Sequence, residues 1–261
     1  MAAFWINFWI FGFVLATFAF FIARRIRVMA VVDLIWTAGL GIAALGYALS
    51  YDQANDRTWY VVIILSLWSF RLTYHLFRDR VLTRHEDPRY SNLAKHWGER
   101  ASRNFYVLFL AQVVFVGLFL LPVVAAAQNA APGGRFADVA ALLVALIALV
   151  GEGIADRQLA AFRANPDNMG KVCRSGLWRY SRHPNYFFEW LHWWAYVGFA
   201  WGSSNWWLSL LGPAAMYIFL RYLTGIPHAE RSSLKRRGDA YRDYQQTTSP
   251  FFPWIPRQHP S

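Results

Sequence analysis

Apolar residues run along this chain in blocks of about twenty, separated by short stretches that hold nearly all of its charge. A helix needs roughly 20 apolar residues to cross the hydrocarbon of a bilayer. Runs of that kind predict spans at Phe4–Ala23, Val28–Ser50, Trp59–Phe77, Phe105–Ala127, Phe136–Ala155, Tyr186–Gly202 and Asn205–Pro227. The expected fold is all-α, a polytopic integral membrane protein of about seven transmembrane helices. No internal repeat or linker divides the chain, which reads as one membrane domain over residues 1–261.

The intervening charge gives an orientation. The stretches after the first, third and fifth spans carry 3, 7 and 6 Lys and Arg residues, and the C-terminal tail carries 6, together 22 of 26. Arg57 and Arg135 stand on the other side, while Arg71 and Arg221 fall inside spans. Lys and Arg concentrate in cytoplasmic loops. The N-terminus is therefore expected outside and the C-terminus in the cytoplasm, with cytoplasmic segments at 78–104, 156–185 and 228–261. The expected location is a membrane that faces the cytoplasm. Met1-Ala-Ala-Phe-Trp lacks the basic start of a secretory signal, and no small-residue cleavage pattern follows, so the first apolar run is read as a retained helix.

Composition agrees with this picture. The chain is 56% hydrophobic and 18% aromatic, with 16% charged residues against about a quarter in soluble domains. A net charge of +11 raises the question of nucleic acid. The basic residues are parcelled among separate loops, without a basic helix or an aromatic-basic strand module, so no nucleic-acid partner is expected. The single cysteine, Cys173, excludes an internal disulfide and a cysteine-cluster metal site. The seven histidines are scattered and point to no metal.

Ionisable groups inside a bilayer span are costly unless paired or facing a polar cavity. Asp33, Arg71, Glu152, Glu189 and Arg221 hold such positions, with His75 and His192 in or near spans. Pairing of Asp33 with Arg71 would be a purely structural account. Arg71, Glu152, Glu189 and Arg221 all fall in the cytoplasmic halves of their spans, which favours a polar cavity open to that side. Glu152 and Asp156, four apart, share one helix face. They serve either as internal salt-bridge partners of a neighbouring arginine or as acceptors for ribose hydroxyls or a carboxamide.

The densest polar stretch is Gly170–Tyr186, with Lys171, Arg174, Arg179 and Arg182 interleaved with Trp178, Tyr180 and Tyr186. Arginine forks bind phosphate bidentately, and tyrosine or asparagine can complete the shell. A plain positive-inside loop would be basic too. The order Arg182-His183-Pro184-Asn185-Tyr186, just before a span carrying Glu189, favours the phosphate-binding reading.

Gly176-Leu-Trp-Arg-Tyr-Ser-Arg-His-Pro-Asn-Tyr-Phe-Phe-Glu189, followed by Trp193 and Trp194, resembles bacterial membrane proteins of the steroid 5-alpha-reductase-like family. That family shares a superfamily with sterol reductases and isoprenylcysteine carboxyl methyltransferase. The resemblance runs from about Val32 to Pro256 and is strongest over Glu152–Trp194. It implies that the cytoplasmic segments bind NADPH. Asp156, Arg163, Asn185 and Glu189 match reductase residues one by one. Glu152 stands where those reductases have an asparagine, and Arg179 and Tyr180 lie within the signature. Arg71 matches an arginine at the inner end of the third span. Arg182, His183 and Tyr186 belong to the signature, and Glu230, Tyr241 and Tyr244 to a tail motif that closes over the cofactor.

Two features depart from the reductase pattern. Trp68 occupies the place of the tyrosine that polarises a steroid carbonyl, and the glutamine-glutamate pair near the second span is missing. Tyr47, Tyr74, His75 or Tyr217 are the available substitutes as proton donor, with Tyr74 and His75 taken as the catalytic candidates. The resemblance implies an NADPH-dependent reductase of an activated carbon–carbon double bond in a lipophilic, steroid-like or other enone substrate taken from the bilayer. The rival readings are an S-adenosylmethionine-dependent membrane methyltransferase, supported by Arg182-His183-Pro184-x-Tyr186, and a non-enzymatic membrane scaffold.

Overall fold

The computed structural model describes residues 1–84, 86–132 and 134–257. Its described residues are helical without any strand. Among the described residues, five helical stretches are long and apolar enough to cross a membrane: Ala2–Ile26, Val31–Ser50, Asp56–Leu82, Pro88–Ala127 and Phe136–Ala164. The chain thus has the make-up of an integral membrane protein. It divides into two compact units, Met1–Gly133 with Phe199–Leu211, and Gly134–Gly198 with Gly212–Ser261.

The first unit is built from α1 (Ala2–Ile26), α2 (Val31–Ser50), α3 (Asp56–Leu76), α4 (Pro88–Trp97) and α5 (Ala101–Ala127). Helices α2 and α3 approach closely at Gly41, where a Cβ would lie 2.4 Å from Ser69 Oγ. Small residues permit such contact where lipid offers no hydrophobic drive to association. Ser69 Oγ then donates to Thr37 O at 2.6 Å, and Thr73 Oγ1 to Thr37 Oγ1 at 2.9 Å. Trp36 stands edge-on to both Trp68 and Phe119, at 5.5 and 5.6 Å.

Each end of this unit is closed by charge. At one end, Asp33 meets Arg80, Arg89 and Tyr90, and Asp87 meets Arg80 and Arg89 at 2.9 and 3.0 Å. Burial tends to raise the Asp87 pKa, but the arginines outweigh it and hold this carboxyl below its ordinary value. Glu86 accepts the Ala30 N–H at 3.0 Å, satisfying a donor that the first turn of α2 leaves open. The structure thus gives Asp33 partners from the segment after α3. At the other end, buried Arg57 donates to the carbonyls of Asn129, Ala131 and Pro132 at 2.5, 2.7 and 2.9 Å. Asn129 in turn donates to Phe199 O at 2.7 Å.

The second unit contains α6 (Phe136–Ala164), most of α7 (Pro184–Ala200) and of α8 (Leu211–Ile218), α9 (Ile226–Arg237) and α10 (Asp239–Thr247). Gly151 of α6 lies under the Phe188 ring of α7, where a Cβ would come within 2.4 Å.

Three stretches differ in form from the sequence reading. The 78–104 segment, expected as a loop, continues α3 as a π-helical turn over Phe77–Leu82 and then forms α4. Helix α6 runs on past the expected end at Ala155 to Ala164, so Arg163, expected in a loop, sits on the same helix as Asp156. The Ala-, Leu- and Arg-rich sequence there favours helix until Asn165-Pro166. The stretch expected as one span over Asn205–Pro227 is three pieces: a 3-10 turn at Trp206–Leu210, α8, and a π-helical turn at Phe219–Leu223. Pro213, without an N–H, sits in the first turn of α8, where no intrahelical donor is needed.

Candidate functional site

In the second unit the signature segment is gripped from both sides. On α6, Gln158 Oε1 accepts the Leu177 N–H at 2.9 Å, and Ala155 O accepts Trp178 Nε1 at 2.9 Å. Gly176 has φ +59°, and a Cβ there would meet the Gln158 amide at 2.4 Å, so both conformation and space call for glycine. From the other side comes the chain after α10. Arg182 N donates to Ser249 O at 2.8 Å, Ser181 Oγ to Phe251 O at 2.8 Å, and Trp254 N to Tyr180 O at 2.9 Å. The Tyr244 hydroxyl reaches the Trp178 and Ser181 carbonyls. Burial raises the pKa of Tyr244, and pushes Tyr241 up to about 12, so both stay neutral donors.

Arg182 is the hub of this grip. Its Nε donates to Glu230 Oε1 at 2.7 Å, and its Nη1 to the Gln245 and Thr248 carbonyls at 2.9 and 2.6 Å. Three of its five N–H bonds are thereby engaged with α9, α10 and the chain beyond. Glu230 also accepts from Gln245 Nε2 at 2.9 Å and lies 3.4 Å from His183 Nε2. Although burial opposes it, the His183 and Arg182 hydrogen bonds lower the Glu230 pKa to about 2. Burial of the His183 ring outweighs Glu230 and lowers its pKa, leaving the imidazole neutral near pH 7. That ring stacks on Tyr186, 5.4 Å between centroids and 8° apart in plane.

A second group of polar side chains joins α6 to the start of α7. Asn185 Nδ2 donates to Asp156 Oδ1 at 3.3 Å, while Asn185 Oδ1 is buried without a hydrogen-bond partner among the described residues. Glu152, 3% exposed, stands one turn before Asp156, and Glu189 one turn after Asn185. Arg163 is an electrostatic neighbour of Asp156, Tyr186 and Arg236. Arg237, whose pKa is lowered by burial and then by Arg236 and Arg163, belongs to the same bunch of cations. Arg179 is exposed, its guanidinium 5.9 Å from the Tyr180 ring.

The unit therefore brings together Glu152, Asp156, Arg163, Asn185, Tyr186 and Glu189 on two adjoining helices. It joins Arg182, His183, Glu230, Tyr241 and Tyr244 in the grip beside them. Arg71, Tyr74 and His75 lie on α3 of the other unit. There Tyr74 is 57% exposed and stacks on Phe70, and His75 Nε2 is 3.4 Å from Asp79 Oδ2. The described residues hold no cluster of three metal-ligating side chains. Sequence reading passed over Gln245, Arg236 and Arg237. The doublet Arg236-Arg237, closely following Glu230 in the tail, was the available signal.

The uncharacterized protein C594.04c of Schizosaccharomyces pombe is 28% identical over 263 residues, covering 87% of this chain and 73% of its own length. No solved structure matches the chain. The model of a family described as protein of unknown function (DUF1295) matches residues 19–248, and the chain belongs to that family.

Proposed function

We propose that the chain is an NADPH-dependent membrane reductase of an activated carbon–carbon double bond in a lipophilic substrate. The observation that carries this reading is the bunching of Arg163, Arg236 and Arg237 next to the Asp156–Asn185 pair. Like charges gathered by a fold lower one another's stability unless an anion joins them. A phosphate-rich cofactor supplies that anion. The second support is Asn185 Oδ1, buried and without a partner among the described residues, an acceptor suited to a ribose hydroxyl or a carboxamide N–H.

In this reading Arg163, Arg236, Arg237 and exposed Arg179 hold phosphates, while Glu152, Asp156, Asn185 and Glu189 take ribose and carboxamide groups. Arg182, His183, Glu230, Tyr241 and Tyr244 position the segment that carries them. NADPH, when bound, supplies a hydride. The chain binds and orients it and excludes water. Arg71, as a cofactor-binding cation, and Tyr74 and His75, as proton donors, stay candidates on the sequence reading alone. The resemblance of Gly176–Glu189 to the steroid 5-alpha-reductase-like family supports the same assignment.

The proposed topology has seven crossings, with the 17-residue α7 and the composite 206–223 stretch as the last two. It places the N-terminus outside and the C-terminus in the cytoplasm of a bacterial inner membrane. The cluster of 22 of 26 basic residues on one side supports it. A fluorescent protein fused after the tail is expected to mature and fluoresce in cells.

The deciding measurement is thermal stability of the detergent-purified chain with NADPH, NADH and S-adenosylmethionine. A ligand that binds only the native state, at a hundred times its Kd, stabilises by about 2.7 kcal/mol. NADPH is expected to act, and Asp156→Ala and Asn185→Ala to weaken its effect. A response to S-adenosylmethionine alone would replace this reading with a methyltransferase. No response to any of the three would leave a scaffold.

A further inference from the structure

After α10 the second unit carries an apolar stretch that forms no helix, Phe251-Phe-Pro-Trp-Ile255. Phe251 is buried, whereas Phe252, Trp254 and Ile255 are 46%, 72% and 76% exposed. These side chains do not hang on a loose end. Trp254 N donates to Tyr180 O at 2.9 Å and Arg257 N to Thr247 O at 2.8 Å, which pins the backbone on both sides of Ile255. A fixed backbone that holds neighbouring large apolar side chains outward marks a surface that meets a partner.

Helix α6 gives the depth of this surface. Its apolar run ends at Ala155, and Asp156-Arg157 follow. The Ala155 carbonyl accepts the Trp178 indole N–H, so the signature segment lies at that level. Helix α7 then runs antiparallel along α6, with Phe188 over Gly151 and Gly198 against Ala141. Gly151 is one turn inside the apolar run, and Trp190 lies two residues beyond Phe188. At 1.5 Å per residue this sets Trp190 roughly 9 Å inside the run. The Phe252 ring stands edge-on to Trp190 at 5.4 Å and stacks on Tyr217 at 6.2 Å. With α6 across the bilayer, the open side of Phe252 is at hydrocarbon depth.

Trp254 and Ile255 follow within about 11 Å of chain. Trp254 is bound to Tyr180, two residues from the Trp178 that marks the Ala155 level. That is the level of the headgroups, where tryptophan and tyrosine concentrate and arginines serve as anchors. Exposed Tyr180 and Arg179 adjoin Trp254 on one side, and exposed Arg257 follows it in the chain.

We infer that residues 252–255 are an interfacial anchor, with Phe252 against acyl chains and Trp254 and Ile255 at the boundary between chains and headgroups. Lipid is what covers this surface. The tail that grips the signature segment is thereby itself held by the bilayer. The inference rests on α6 crossing the membrane and is independent of the reductase reading.

The test uses the full chain in phosphatidylcholine nanodiscs holding one chain each. An environment-sensitive thiol dye is attached in detergent to Trp254→Cys or Ile255→Cys before reconstitution. Both side chains are largely exposed, so neither replacement removes much packing. Cys173, the one native cysteine, is 5% exposed, and the wild type gives its background labelling. Leu146→Cys on the exposed face of α6 serves as the lipid control, and Arg242→Cys on exposed α10 as the water control. A nitroxide on the lipid chain just below the ester is expected to quench the dye at the Trp254 and Ile255 positions at least about half as strongly as at Leu146, and iodide about threefold less than at Arg242, as for a group roughly 5–10 Å into the boundary. Iodide quenching equal to that at Arg242, with the Leu146 control quenched by lipid, overturns the anchor. Shielding from iodide without quenching by lipid also overturns it and gives the surface to a contact within the chain. A Leu146 label untouched by lipid removes α6 from the bilayer and the inference with it, whatever the response to NADPH.

Discussion

Arg182 and Glu230 form an ion pair at 2.7 Å, with side chains only 9% and 16% exposed, that ties the turn before α7 to α9. Removing one partner of such a pair strands the other charge away from water, which typically costs about 3–5 kcal/mol. Glu230→Ala is expected to lower stability by about 3 kcal/mol and to free α9, α10 and the residues after them for proteolysis. Thermal denaturation together with limited trypsin digestion checks this. A tail as resistant as wild type would show that the pair holds nothing.

The same pair sets a dependence on pH. His183 has a native pKa below its ordinary 6.5, chiefly because its ring is buried. Its contribution is complete above that value and is lost as pH falls from 6.5 toward the lowered native pKa. Glu230, held at about 2 by its partners, contributes fully above its ordinary 4.5 and loses that contribution as pH falls from there toward 2. Both act in one direction, so acidification destabilises. Melting temperature is expected to fall between pH 7 and 5, and this limb is expected to flatten in His183→Gln. A rise in melting temperature over that range would contradict the assignment.

Gly176 makes a sharper steric prediction. Gly176→Ala forces a side chain into a left-handed conformation, a cost of roughly 1–2 kcal/mol, and into the Gln158 amide as well. The double variant Gly176→Ala/Gln158→Ala is expected to relieve the clash and keep the conformational cost. It also loses the Leu177 N–H bond. A double-mutant cycle on urea unfolding separates these contributions, and full recovery would mean that the conformation imposes nothing.

At the far end of the first unit, Arg57 satisfies three loop carbonyls at once. Arg57→Ala leaves them without this donor, and the expected loss is about 3 kcal/mol, drawn from roughly 1 kcal/mol or more for each stranded group. Arg57→Lys is expected to recover only part of it, because an ammonium lacks the planar fork. Chemical denaturation distinguishes the two. Equal stability of the lysine variant and wild type would show that charge alone is enough.

The arginine bunch predicts a trade between stability and binding. Arg237→Gln relieves repulsion from Arg163 and Arg236. It is expected to leave the free protein as stable as wild type or slightly more so, while weakening the response to NADPH. Melting curves with and without the nucleotide read both effects. A less stable free protein with an unchanged NADPH response would remove Arg237 from the proposed site.

Much of this architecture was legible because the bilayer imposes a simple code. Blocks of apolar residues located all five of the long membrane-type helices, and the Glu152–Asp156 spacing placed both carboxylates on one helix, as found. What the sequence did not reveal was pairing over distance. Nothing local in Arg182 announces that it meets Glu230 and the Gln245 and Thr248 carbonyls, because backbone acceptors carry no residue signature. Arg57 read as one of two stray charges on the sparsely charged side, and only the fold shows it buried against a loop. The composite 206–223 stretch was opaque for another reason. Its apolar content matches a straight helix, and hydropathy does not report the hydrogen-bonding pattern that divides it.

The contacts of Tyr180, Ser181 and Arg182 with residues 249–254 have a consequence for the order of biosynthesis. The signature segment leaves the ribosome well before the stretch of chain that holds it. Until residues 249–254 follow, its backbone groups have only water or lipid headgroups to meet, and the Arg182 guanidinium lacks Glu230. The grip on the signature segment is therefore completed only after the apolar helices have already been handed to the membrane.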